Sequence, residues 1–97
     1  MKIYIIKVFE NDFTNDECGW HDTYLQIGAY LKIDSAINAA KTWLTKELAH
    51  YSPEETKGTP DEIGIALKLV TNYGIEFVRN KRGSKEIEIE EMEVNEE

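Results

Sequence analysis

The sequence predicts an α+β fold: a two-layer, mostly antiparallel four-stranded sheet with two helices on one face, in the order β-β-α-α-β-β. Three observations predict it. Strand-like runs of β-branched and aromatic residues open the chain, two helical periodicities fill its middle, and two alternating segments close it. Its 97 residues suit a single domain, 1–97, with one modest core.

The first strand is read over residues 2–9, "KIYIIKVF". Ile3 and Ile5 fall on one face, and Tyr4, Ile6 and Val8 on the other, which suits a central strand covered at least in part on both sides. Residues 10–22 are polar and turn-rich, and read as a long surface loop or a flared hairpin. "TYLQIGAYL" (23–31) alternates again and predicts a second strand, antiparallel to the first. Asp34 is expected to cap a helix carrying Ile37, Ala40, Leu44, Leu48 and Tyr51 on one stripe, with Pro53 just beyond its end.

The second helix has the clearer start. Thr59 sits as N-cap, Pro60 at the first helical position and Glu62 three residues after the cap, which is the pattern of a capping box. Ile63, Ala66, Leu67, Val70 and Tyr73 continue the stripe, and Gly74 offers a stop. Ile63, Ile65, Leu67 and Leu69 also alternate as a strand would, but the start and stop signals favour helix. "IEFVRN" (75–80), the turn "KRGS" and "KEIEIEEMEV" then form a closing hairpin. Ile87 and Ile89 share one phase and Met92 and Val94 the other, so a β-bulge, or the end of pairing, is expected at Glu90–Glu91. Residues 95–97 are expected to fray. Trp43 and Phe77 read as core, whereas Tyr30 and Tyr51 suit either core or surface.

Nineteen acidic against eleven basic residues leave a net charge of -8. That balance disfavours direct nucleic-acid binding and docking on anionic membranes, and favours a basic protein partner. Cys18 is the only cysteine, so an internal disulfide is excluded. A reducing compartment fits, and with neither a signal-peptide pattern nor an apolar run of membrane-spanning length the cytoplasm is the expected location.

The acidic end supplies the first candidate site. In a strand over 86–90, Glu86, Glu88 and Glu90 share a face, spaced by roughly 6.6–6.8 Å, opposite Ile87 and Ile89. Glu91, Glu93, Glu96 and Glu97 extend the charge. Two readings compete: a charged strand that prevents edge aggregation and aids solubility, or a strip that steers a basic groove into contact. Arg79, Lys81, Arg82 and Lys85 lie close enough in sequence to neutralise its beginning.

The 10–22 segment supplies the second, with Glu10, Asp12, Asp16, Glu17, Trp20 and Asp22. Trp20 reads either as a contact residue or as a lid on the sheet edge. Cys18 and His21 have the spacing of half a zinc site, but His50 is the only other histidine and no second cysteine exists. Counted from Asp12, Glu17 and Thr23 stand where an EF-hand loop needs glycine and glutamate. No nucleophile–base–orienter set, phosphate loop or nucleophile elbow is present in sequence, so no catalytic residue, metal or cofactor is assigned.

Taken together, "KIYIIKVFE", "YLQIGAYL" and "DSAINAAKTWL" resemble small uncharacterised proteins of Gram-positive bacteria and their phages that begin strand-strand-helix. The resemblance covers about the first half of the chain and carries no active site. In size and acidity the chain is also similar to phage-encoded inhibitors of host defence, of the anti-CRISPR or anti-restriction kind. The expectation is a non-enzymatic binding or inhibitor protein that presents carboxylates to the basic groove of a nucleic-acid-binding partner such as a defence nuclease. Its contact residues would be Glu86, Glu88, Glu90, Glu91 and Glu93, with Asp16, Glu17, Trp20 and Asp22 as a second patch. Alternatives are a ligand- or metal-dependent protein using the 10–22 loop, and a self-assembling protein seeded by Ile3–Phe9 or by the 60–73 helix. Monomer and homodimer both remain open.

Overall fold

The computed structural model of the protein describes residues 1–13 and 20–95, except for the side chains of residues 13 and 20–22. Strand β1 (Lys2–Phe13) and β2 (Trp20–Tyr30) precede helices α1 (Ile33–Leu48) and α2 (Pro60–Leu69), and β3 (Ile75–Asn80) and β4 (Gly83–Glu93) follow. The four strands form one antiparallel sheet in the order β2-β1-β4-β3. This is the expected element order, with the first and last long strands paired at the centre.

Alternation builds the core. Ile6 and Val8 of β1 stand opposite Ile89 and Ile87 of β4, and all four are fully buried under the helices. Ala36, Ile37, Ala40 and Leu44 of α1, and Ile63 and Leu67 of α2, pack down on them with Phe77 and Val78 of β3. Full burial of each large aliphatic side chain stabilises by about 1.5–3 kcal/mol. The Trp43 ring meets Phe77 edge-on at 5.7 Å, and Tyr30 and Tyr51 are half-buried against the same cluster.

Of the two readings of segment 10–22, the hairpin is the one that fits: residues 10–13 and 20–22 are paired strand, because β1 runs on to Phe13 and β2 begins at Trp20. Its polar residues pair there because β4 lies alongside, with Glu10 opposite Lys85. Asp34 is not the N-cap of α1. The cap lies two residues earlier, at Lys32, with no side-chain cap bond, and Asp34 sits in the first turn, where its charge suits the helix dipole. It also pairs with Lys68 of α2 at 2.9 Å.

Helix α2 starts as read. Thr59 accepts from the Glu62 amide and the Glu62 carboxylate accepts from the Thr59 amide, both at 3.2 Å. It ends earlier, with Val70 at the C-cap and Asn72 in the left-handed region at φ 62, so Val70 and Tyr73 are exposed and Gly74 is not the stop.

No bulge occurs at Glu90–Glu91, where β4 keeps an unbroken register with β1 from Gly83 to Glu93. The irregularities lie on the outer strands, where Ile27 in β2 and Phe77 in β3 are the extra residues. The extra residue at Phe77 lets Phe77 and Val78 both be buried.

The sheet's edge on the β3 side is closed by two segments. Residues 55–57 run along the outside of β3, with the Lys57 amide donating to the Phe77 carbonyl and the Arg79 amide to the Glu55 carbonyl. Beyond the end of β3, Asn72 takes over along β4. Its amide donates to the Ile89 carbonyl, and its side-chain oxygen accepts from the Glu91 amide, both at 2.8 Å.

Candidate functional site

Both helices pack on one face of the sheet, so the other face has no covering layer among the described residues. Strand alternation sends Ile3, Ile5, Lys7 and Phe9 of β1 to this face, with Glu86, Glu88, Glu90 and Met92 of β4 beside them. Tyr24, Gln26 and Ala29 of β2 and Glu76 and Arg79 of β3 complete it.

The predicted ladder is present. Glu86, Glu88 and Glu90 lie along β4, which β1 pairs throughout and which β3 as far as Ile87, then Asn72, holds on the other side, so the backbone beneath them is fixed. The carboxylates differ in their partners. Glu90 pairs with Lys7, whose ammonium also lies 5.4 Å from the Tyr24 ring centroid. Arg79 is bound through two nitrogens by Glu76, at 2.5 and 3.2 Å. The hydrogen bond and charge of Glu76 hold the Arg79 guanidinium above its ordinary pKa, and Glu86 adds to the effect. Neither Glu86 nor Glu88 forms an ion pair among the described residues.

Apolar surface flanks the carboxylates. The Phe9 and Tyr24 rings stand 5.2 Å apart and both are well exposed, as is Met92. Ile5, although on the uncovered side, is buried among its sheet neighbours. This face therefore combines exposed aromatic and aliphatic surface with a row of carboxylates.

Glu91 and Glu93 do not join this ladder. With no bulge in β4, alternation turns them to the helix side of the sheet. There Glu91 accepts from the Tyr4 hydroxyl at 3.3 Å and pairs with Lys2 at 3.4 Å, and Glu93 pairs with the chain's amino terminus at 3.2 Å. Asp16, Glu17 and Cys18 lie outside the described residues. Trp20 and Asp22 take strand positions opposite Phe13 and Asn11, and their side chains, like that of His21, also lie outside the description. Glu96 and Glu97 are outside it too.

Of the bases expected to neutralise the beginning of the ladder, Arg79 shares its face, but Lys85 faces the other way. Lys85 points to the helix side, where its ammonium reaches Glu10 at 3.1 Å and Glu47 at 3.3 Å, and lies 5.2 Å from the centre of the Tyr51 ring. Burial alone lowers its pKa, but the interactions with Tyr51 and Glu10 outweigh that and hold it above the ordinary lysine value. Lys85 and Tyr51 form one wall of a cleft of about 550 Å³ that Asp12, His50, Glu55, Asn80 and Arg82 also line. In this cleft the Asn80 amide donates to Glu55 at 2.7 Å, and this bond, with those from Ser52, holds the Glu55 carboxyl below its ordinary pKa. Sequence reading missed the cleft because its residues are drawn from four separate segments.

Among the described residues no group of three or more histidine, cysteine or acidic side chains is placed to hold a metal ion. None of the described helices is long and apolar enough to cross a membrane. Compared with known proteins, the chain matches no family model, no curated protein and no solved structure.

Proposed function

We propose that this protein is a binding protein that docks the uncovered face of its sheet onto a basic protein surface, of the kind a nucleic-acid-binding partner offers to phosphates. The observation that supports this reading most is the row Glu86–Glu88–Glu90. It stands on β4, which is paired with β1 throughout and on its other side with β3 as far as Ile87 and with Asn72 beyond, and it lies beside the exposed Phe9, Tyr24 and Met92. The aromatic and aliphatic side chains supply area to bury, and the carboxylates supply orientation and encounter rate. Lys7 and Arg79 lessen the repulsion within the row while leaving Glu86 and Glu88 for an incoming lysine or arginine.

The test is affinity capture with three baits: the wild type, the triple variant Glu86→Gln/Glu88→Gln/Glu90→Gln, and Phe9→Ser. The expected partner is basic, is retained by the wild type at about 0.15 M salt, is released as screening rises, and is lost with both variants. Duplex DNA should compete with it for the partner. A partner held equally by the triple variant, or held independently of salt, overturns the proposal.

A second reading has one observation in its favour. The cleft beside Lys85 includes Asp12, one of the acidic residues of the 10–22 segment. Thermal shift with divalent metals and with small zwitterionic and anionic compounds tests it, and no shift with any of them eliminates it.

A further inference from the structure

The sheet has one long edge that nothing among the described residues closes. The outside of β3 is covered by residues 55–57, and β4 beyond it by Asn72. Strand β1, where Ile3–Phe9 lies, is paired on both sides and has no backbone groups to offer a partner. Strand β2 is paired only on its inner side, along 11 residues. Along such an edge every second residue turns its N–H and C=O outward.

Natural sheets protect edges of this length with charge, proline or bulges. From Thr23 to Leu31 the chain has neither a charged residue nor a proline. Its one protective feature is the bulge at Ile27, which interrupts the edge without charging it. Large apolar side chains stand out along it: Tyr24 is 50% exposed, Leu25 51% and Leu31 66%. They lie on both sides of the sheet, since Tyr24 is opposite Phe9 and Leu25 opposite Val8.

We infer that β2 is a strand-addition surface whose occupant is β2 of a second copy of this chain, paired antiparallel to give a continuous eight-stranded sheet. The charge pattern selects that occupant. Two bodies with a net charge of -8 repel each other, and the neutral stretch Thr23–Leu31 is where they can approach at least cost. Asp22 precedes this stretch and Lys32 follows it. Antiparallel pairing of two identical strands brings the first end of one toward the last end of the other, so the flanking charges are self-complementary in that arrangement alone. A two-fold axis normal to the sheet produces this pairing. It would set the two β4 strands about 24 Å apart, with their carboxylate rows on the same side.

The inference does not rest on the proposed partner, and salt separates the two. Docking on a basic surface weakens as salt rises, whereas self-association of acidic copies through a neutral edge strengthens. The experiment is sedimentation velocity on the whole chain from about 1 µM to about 500 µM, at about 0.05 M and about 0.5 M salt. It uses the wild type, Leu25→Lys and, as a control on exposed α2 surface, Ile65→Lys. The expected result is a wild-type monomer–dimer equilibrium that shifts toward dimer in high salt. Ile65→Lys should follow the wild type, and Leu25→Lys should dissociate at least about tenfold more readily. Hydrogen exchange on the wild type reads the same surface without a variant, because the amides of 23–26 should gain protection as concentration rises. A strict monomer throughout, a dimer that Leu25→Lys leaves intact, or unchanged protection of 23–26 on dimerisation overturns the inference.

Discussion

Replacing Lys85 by methionine should cost about 2 kcal/mol of folding stability, a figure set between two limits. Its ammonium lies 3.1 Å from Glu10 and 3.3 Å from Glu47, and its side chain is only 17% exposed. Removing one partner from a fully buried pair costs about 3–5 kcal/mol, because a charge is left uncompensated. An exposed pair contributes only about 0.2–1 kcal/mol. The two glutamates are 30% and 24% exposed, so water reaches the abandoned carboxylates and the cost falls between these limits. Methionine keeps most of the aliphatic stem against Tyr51, so little of the loss comes from packing.

Urea unfolding at low salt, followed by tryptophan fluorescence, measures the effect. Thermal melting should move down by roughly 8–16 °C for a chain of this size. The raised lysine pKa fixes the alkaline behaviour. The stabilisation is fully present below about 10.5 and is lost as pH rises through the folded value above it, so the gap between wild type and Lys85→Met should stay constant from neutrality to about pH 10. Neutralising the glutamates as well, in Lys85→Met/Glu10→Gln/Glu47→Gln, should recover more than half of the loss. A loss below about 0.5 kcal/mol, or a triple variant no more stable than the single one, would refute the claim that this cluster is held together by charge in a poorly hydrated place.

Other perturbations test separate links. Thr59→Ala removes the oxygen that caps α2 and should cost about 1 kcal/mol in the same urea assay. Leu44→Ala opens a cavity at a fully buried position between α1 and the sheet, and a loss of about 2–5 kcal/mol is expected by calorimetry. Gly83 has φ 146, and a Cβ there would collide with the Asn11 carbonyl oxygen, so Gly83→Ala should cost more than about 2 kcal/mol and disturb the start of β4 in amide spectra. Asn80→Ala removes the main hydrogen bond that lowers the Glu55 pKa. By carboxyl NMR titration that pKa should rise toward 4.5, and the small stability Glu55 contributes above its unfolded pKa, lost as pH falls through the folded one, should shrink.

What was legible in the chain is what is local. The Thr59–Pro60–Glu62 signal is written within four residues and appears in the structure as a reciprocal pair of hydrogen bonds. The alternation of Ile87 and Ile89 with Glu86, Glu88 and Glu90 is set by the two-residue period of any strand, so the division into core side and carboxylate side was readable in advance. The expected bulge failed for an instructive reason. Met92 breaks the apolar phase of β4, but it sits on a face with no second layer, where an apolar side chain carries no information about register. The phase break at Phe77–Val78, where both residues are buried, does mark an extra residue. Lys85 was misplaced because its partner Glu47 lies 38 residues away on a helix, a proximity no periodicity encodes.

The placement of charge along this sheet follows from which edges the fold could close by other means. Backbone from 55–57 and Asn72 closes the β3 side, so β3 and β4 did not need charge to stay unpaired, yet Glu76, Glu86, Glu88 and Glu90 are gathered there. The open strand β2, where charge would protect against pairing, has none between Asp22 and Lys32. Edge protection therefore does not account for the carboxylate row, because the row stands where the edge is already sealed and is missing where it is not. Solubility does not require clustering either, since dispersed glutamates serve it as well. A row concentrated on one rigid face, and a neutral edge left open two strands away from it, are together what a chain would show if the face and the edge each had a partner.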